Sequence, residues 1–165
     1  MALGRIEKES KYYLSITKGK IVHSAKERRI SYDFVEGTLE AISVQERTFN
    51  GEKVLYWYIP LRGEKGERYI LSLPYKSGVF KSIILALASE PTLGRTVKIE
   101  PYERNGFTKV VVSLNGKRLD WITKELPPVE SVQIAGQPVK DDTKRMEYIS
   151  QLVEVVNKEG TKENK

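Results

Sequence analysis

Cysteine is absent from the 165 residues and histidine occurs once. The first absence excludes disulfides, thiolate catalysis and cysteine-ligated zinc or iron–sulfur centres. The second leaves His23 as the only imidazole, between Val22 and Ser24 in a short strand-like piece, where it reads as structural or surface rather than catalytic. Aspartates are sparse as well. Asp33, Asp120, Asp141 and Asp142 do not fall at metal-ligand spacing, and the Asp141-Asp142 pair reads as a helix cap rather than a two-metal site. The glycine-containing stretches RGEKG and GEK match neither the phosphate loop nor the dinucleotide fingerprint, since neither lies between a strand and a helix at the required spacing. Long apolar runs are missing too. Nothing approaches the roughly 20 residues that cross a bilayer, and MALGRIEKES carries charge where a signal peptide needs its hydrophobic stretch. The expectation is a cytoplasmic, non-enzymatic protein with no metal, cofactor or membrane partner.

What is present is enough apolar sequence for one core: 39% hydrophobic residues beside 30% charged. The net charge of +6 favours a polyanionic partner, and its placement is uneven. Residues 1–31 carry eight Lys/Arg against three Asp/Glu, residues 32–121 thirteen against eleven, and residues 122–165 seven against eight. The surplus is N-terminal, at Lys18, Lys20, Lys26, Arg28 and Arg29 among others.

From Val35 the sequence reads as strands divided by turn signals. VEGTLEAISV alternates apolar and polar residues, Asn50-Gly51 offers a tight hairpin, and VLYWYIPL follows as the second strand. RGEKGE turns the chain into a third strand, RYILSLPY. SGVFKSIILALASEP then places Phe80, Ile83, Ile84, Leu87 and Ala88 at helical spacing behind a Ser77 cap, with Pro91 just beyond. Two more strands surround Asn105-Gly106, with a further turn at Asn115-Gly116 before Trp121.

The order β-β-β-α-β-β is that of the OB-fold, so residues 32–123 are expected to form a five-stranded OB-fold barrel in an all-β protein with appended helices. Residues 1–31 read as a basic N-terminal hairpin or arm. Residues 124–140, with Pro127, Pro128 and Pro138, read as an extended linker. Residues 141–165 read as an amphipathic helix and tail, with Met146, Ile149, Leu152, Val153 and Val156 on one stripe.

Single-stranded nucleic acid needs flat rings for its bases and a cationic track for its phosphates. In VLYWYIPLR, period-2 alternation puts Leu55, Trp57, Ile59 and Leu61 on one face and Tyr56 and Tyr58 on the other, between Lys53 and Arg62. Trp57 is expected in the core, and Tyr69 and Tyr75 lean toward burial beside Leu71 and Leu73. Tyr102 shares a face with Lys98, Glu100 and Arg104 and is the third stacking candidate. Arg68, Lys76, Lys109, Lys117 and Arg118 complete the basic candidates. Strand tyrosines also pack at sheet edges with their hydroxyls in water, so the pattern is informative only as a cluster.

SLPYKSGVFKSIILAL, followed by TVKIEPYERNGFTKVVVSLNGKRLDW, resembles bacteriophage-type single-stranded DNA-binding-like proteins with an OB-fold. The resemblance spans about residues 35 to 121 and rests on the helix after the third strand and on the ending Asn115, Gly116, Lys117, Leu119 and Trp121. It implies coating of exposed strands with little sequence preference during replication or recombination. The better-known bacterial relatives finish in an acidic tail, whereas this chain ends KEGTKENK, so the resemblance does not carry tail-mediated recruitment or tetramer assembly with it. Two rivals stay open: an RNA-binding OB protein, which would add contacts to the ribose 2′-hydroxyl, and a protein-interaction module that uses the C-terminal helix for a homo-oligomer or a replication protein.

Overall fold

The computed structural model describes residues 11–25, 28–123 and 125–163. β1 (Lys11–Thr17) and β2 (Lys20–Ala25) form a hairpin, and β3 (Arg28–Tyr32) pairs with β2. β4 (Val35–Leu39), β5 (Ser43–Phe49), β6 (Glu52–Arg62) and β7 (Arg68–Pro74) precede helix α1 (Gly78–Leu87). β8 (Thr96–Arg104), β9 (Phe107–Leu114) and the short β10 (Lys117–Arg118) follow it. β11 (Glu130–Ile134), β12 (Gln137–Asp141) and helix α2 (Thr143–Glu163) end the described chain.

The protein is mostly β, with one ten-stranded sheet in the order β10-β9-β8-β4-β6-β7-β1-β2-β3 and β5 attached to β6. This sheet curls into a half-barrel. The β1–β2 turn and β9 stand far apart in strand order, yet the Gly19 backbone N–H donates to Thr108 Oγ1 on β9 at 3.2 Å. Only a curled sheet brings them together. At this closure Gly19 has φ +75°, and a Cβ there would lie 2.7 Å from the Glu103 backbone nitrogen, so glycine is required on both counts.

The elements expected in residues 35–114 form in order, with one strand interrupted. β4 pairs with β8 and, at Thr38 and Leu39, with the end of β6, while β5 pairs with the first part of β6. A closed five-stranded barrel would join the third strand to the last in parallel. Among the described residues that parallel edge of β7 is taken instead by β1, in the register Lys11↔Arg68 to Leu14↔Leu71. The N-terminal hairpin thereby extends the sheet.

Inside the curl, α1 buries Phe80, Ile83, Ile84 and Leu87, and Ser77 Oγ accepts from the Phe80 N–H as the capping pattern predicts. The Trp57 ring stacks between Phe80 (4.7 Å) and Tyr75 (5.2 Å), and its Nε1–H donates to the Tyr75 carbonyl. Trp57 is therefore core, as its alternation implies.

The segment read as a linker is folded: β11 and β12 pair in register from Glu130↔Asp141 to Ile134↔Gln137. Its prolines misled because Pro127 and Pro128 precede the strands, and Pro138 sits in a two-stranded ribbon where each strand has a free edge. The turn falls on Ala135-Gly136, both at positive φ, and Ala-Gly is a weak turn signal in sequence.

The stripe on α2 packs on the protein's own core, where Met146, Ile149, Leu152, Val153 and Val156 are all buried. Just beyond it, the Asn157 side chain repairs the break between β4 and β5. Its Oδ1 accepts from the Ile42 N–H at 2.9 Å and its Nδ2 donates to the Ile42 carbonyl at 2.9 Å. Asn157→Ala leaves both backbone groups without these partners and is expected to cost about 1–3 kcal/mol, read as a lowered midpoint in thermal or urea denaturation. An unchanged midpoint would mean that water replaces the amide at no cost.

Candidate functional site

The alternation along β6 sends Trp57, Ile59 and Leu61 inward and Tyr56, Tyr58, Pro60 and Arg62 outward. The Asn50-Gly51 turn sets the opposite strand in register, so Gln45 faces Tyr56, Arg47 faces Val54 and Phe49 faces Glu52. Arg47 therefore rises between the two tyrosines. Its Nε–H donates to the Tyr58 hydroxyl at 2.6 Å, and its guanidinium carbon lies 4.9 Å from the Tyr56 ring centre and 5.0 Å from that of Tyr58. That is cation–π distance to both rings.

Two further rings lengthen the row. Phe49 lies 6.5 Å from Tyr56, and Tyr13 of β1 meets Tyr58 edge-on at 6.0 Å. Phe49 is 54% exposed and Tyr13 48%, whereas Tyr56 and Tyr58 are half-buried. Phe49, Tyr56, Tyr58 and Tyr13 thus make an aromatic row drawn from β5, β6 and β1, across the intervening β7, with a guanidinium set into it. Along the same face, Arg62 and Arg68 are cross-strand neighbours and Lys11 is beside Arg68. Arg68 forms a two-pronged bond with Glu40, at 2.9 and 3.1 Å, so part of the charge in this corner is offset.

The remaining predicted residues lie elsewhere. Lys53 has the parity of Leu55 and Trp57 and so projects from the opposite face of β6, near Glu46 at 3.5 Å. Lys76 pairs with Asp142 at 3.2 Å, and Lys117 lies 3.7 Å from Glu90. Lys98, Tyr102 and Arg104 follow one another on β8, with Lys109 opposite Tyr102 on β9. They form a second patch, separated from the aromatic row by β4. Arg118 is exposed on β10 at the sheet's end.

Sequence reasoning missed Arg47, Phe49 and Tyr13. The first two were within reach, because a two-residue Asn-Gly hairpin fixes which residues of QERTF share a face with Tyr56 and Tyr58. Tyr13 was not, since it arrives through a parallel pairing across most of the domain.

Among the described residues there is no cluster of His, Asp or Glu able to hold a metal ion, and no helix is long and apolar enough to cross a membrane. Comparison with protein-family models, curated proteins and solved structures gave no match for this chain.

Proposed function

We propose that the protein binds single-stranded DNA with little sequence preference, along the outward face of β5, β6 and β1, as an OB-like half-barrel enlarged by its N-terminal hairpin. The observation that carries this reading is the row Phe49, Tyr56, Tyr58 and Tyr13 with Arg47 embedded in it. Every base has a π-face, so stacking on rings tolerates sequence, and each stack contributes roughly 1–3 kcal/mol. The Arg47 guanidinium provides a flat cationic surface at base-stacking height and a donor fork for phosphate. Lys11 and Arg62 extend the positive charge along the same face. In OB proteins the face of the second and third strands is the usual oligonucleotide surface, and β6 and β7 hold that place here.

Protection or organisation of exposed strands in replication or recombination is the role that goes with such binding. The rival built on α2 loses its surface, because the stripe it needs is buried against the protein's own core.

The test is fluorescence anisotropy of a labelled oligo-dT strand titrated across salt. With about three phosphates neutralised, log K should fall with log salt at a slope near −2. A flat salt response would defeat the proposal, and a preference for the matched RNA strand would move it to RNA.

A further inference from the structure

The half-barrel has a second feature that strand binding does not use: a recess of about 1070 Å³ at one mouth of the curl. Ligand sites favour the mouths of β-barrels. The rings of Tyr12, Tyr32, Phe34 and Tyr69 line it, with Leu14 and Ile21 at its apolar floor. Tyr12 stacks on Tyr69 at 5.5 Å, so part of this wall is already assembled, while Tyr32 and Phe34 are 47% and 46% exposed. The β6–β7 loop contributes to the lining, held by bonds from the Gly63 N–H to the Glu67 carbonyl (2.7 Å) and from the Gly66 N–H back to the Gly63 carbonyl (3.1 Å).

Among the described residues that line the recess the charge is opposite to that of the whole chain. Glu36, Glu64 and Glu67 stand there against Lys65, with Lys98 at the edge over Phe34. Such a surface repels phosphate, which separates it from the aromatic row on the outer face. It also shows what its rings accept: Lys98 Nζ lies 4.3 Å above the Phe34 ring centre. The Tyr69 hydroxyl bonds Glu67, and burial followed by the nearby carboxylate holds its pKa above the usual value, so it stays a neutral donor.

We propose that this recess docks a basic segment of a partner protein, with an arginine or lysine side chain entering among Tyr12, Tyr32 and Tyr69 and the carboxylates of Glu36, Glu64 and Glu67 around its charge. The volume exceeds what one ammonium or guanidinium group fills, and the loop at its rim offers backbone and carboxylate acceptors to the peptide that carries it. The site is independent of the strand-binding reading. A protein that coats DNA with its outer face would keep this mouth free for a partner, because the acidic lining discourages the strand from entering.

The chain's only histidine makes the test clean, since His23 lines the recess and meets Tyr12 edge-on at 5.6 Å. The full chain is titrated with an acetylated, amidated peptide of alternating arginine and glycine, and the His23 ring signals are followed by NMR. A saturable shift is expected, with affinity roughly tenfold weaker in Tyr32→Ala/Phe34→Ala and in Glu36→Gln/Glu64→Gln. These residues are exposed, so the variants should keep the parent's denaturation midpoint. Binding insensitive to the aromatic pair would reduce the effect to diffuse surface charge and overturn the site. A response to spermidine without one to the peptide would overturn the peptide occupant, and His23 shifts driven by oligo-dT would assign the recess to the strand. Peptide binding in a protein that ignores oligo-dT would leave this proposal standing while the strand-binding reading fell.

Discussion

Replacing Tyr56 and Tyr58 together with alanine is expected to weaken oligo-dT binding by at least about thirtyfold, because two stacks at the low end of their range sum to about 2 kcal/mol. Both side chains stand on the outward face of β6, whose inward residues Trp57, Ile59 and Leu61 carry the packing, so the variant should remain folded. Two comparisons sharpen the result. Tyr58→Phe keeps the ring and removes the acceptor of the 2.6 Å bond from Arg47, so it should cost only a few-fold if stacking dominates. Tyr102→Ala removes a ring from the β8–β9 patch beyond β4, and should change affinity far less than the β6 pair. Anisotropy titrations at one fixed salt concentration, alongside circular dichroism, decide the matter. Equal affinity in the double variant and the parent, with both folded, removes this face from the binding reaction.

That prediction descends directly from alternation in VLYWYIPLR, and it marks how far local pattern reached. Where a strong local signal fixes the structure, it was legible: the Asn-Gly hairpins, the Ser77-capped helix, the inward Trp57 and the outward tyrosines, though not the Ala135-Gly136 hairpin. Long-range pairing was not. Nothing in KYYLSIT announces that it will run parallel to RYILSLP, and that single pairing both enlarges the sheet beyond five strands and brings Tyr13 to Tyr58. The basic candidates do not gather in one place, for a related reason. A lysine's face can be read from its parity, as for Lys53, but its partner cannot: Lys76 meets Asp142, which lies between β12 and α2, and Lys117 meets Glu90 from a loop. The acidic, aromatic mouth is assembled from β1, β2, the end of β3 through the start of β4, and the β6–β7 loop with the start of β7, so no window of sequence contains it.

The C-terminal helix separates a folding role from a partner-binding role most sharply. Deleting residues 143–165 removes Met146, Ile149, Leu152, Val153 and Val156 from the core and the Asn157 amide from the β4–β5 break. Burial of each such aliphatic side chain contributes about 1.5–3 kcal/mol, so together they supply roughly 7–15 kcal/mol, as much as the whole net stability of an ordinary domain. The truncated chain is therefore expected to be unfolded or aggregated, losing near-ultraviolet dichroism and any cooperative transition. Ile149→Ala, which empties one fully buried position, should act in the same direction by about 2–5 kcal/mol while leaving a protein that still folds. Because Ile149 lies away from the aromatic row, oligo-dT affinity of the folded fraction should match the parent, so stability and binding can be read apart. A truncated chain that melts cooperatively at the parent's midpoint would show that α2 is dispensable to the core, and its apolar stripe would again be a surface in search of a partner.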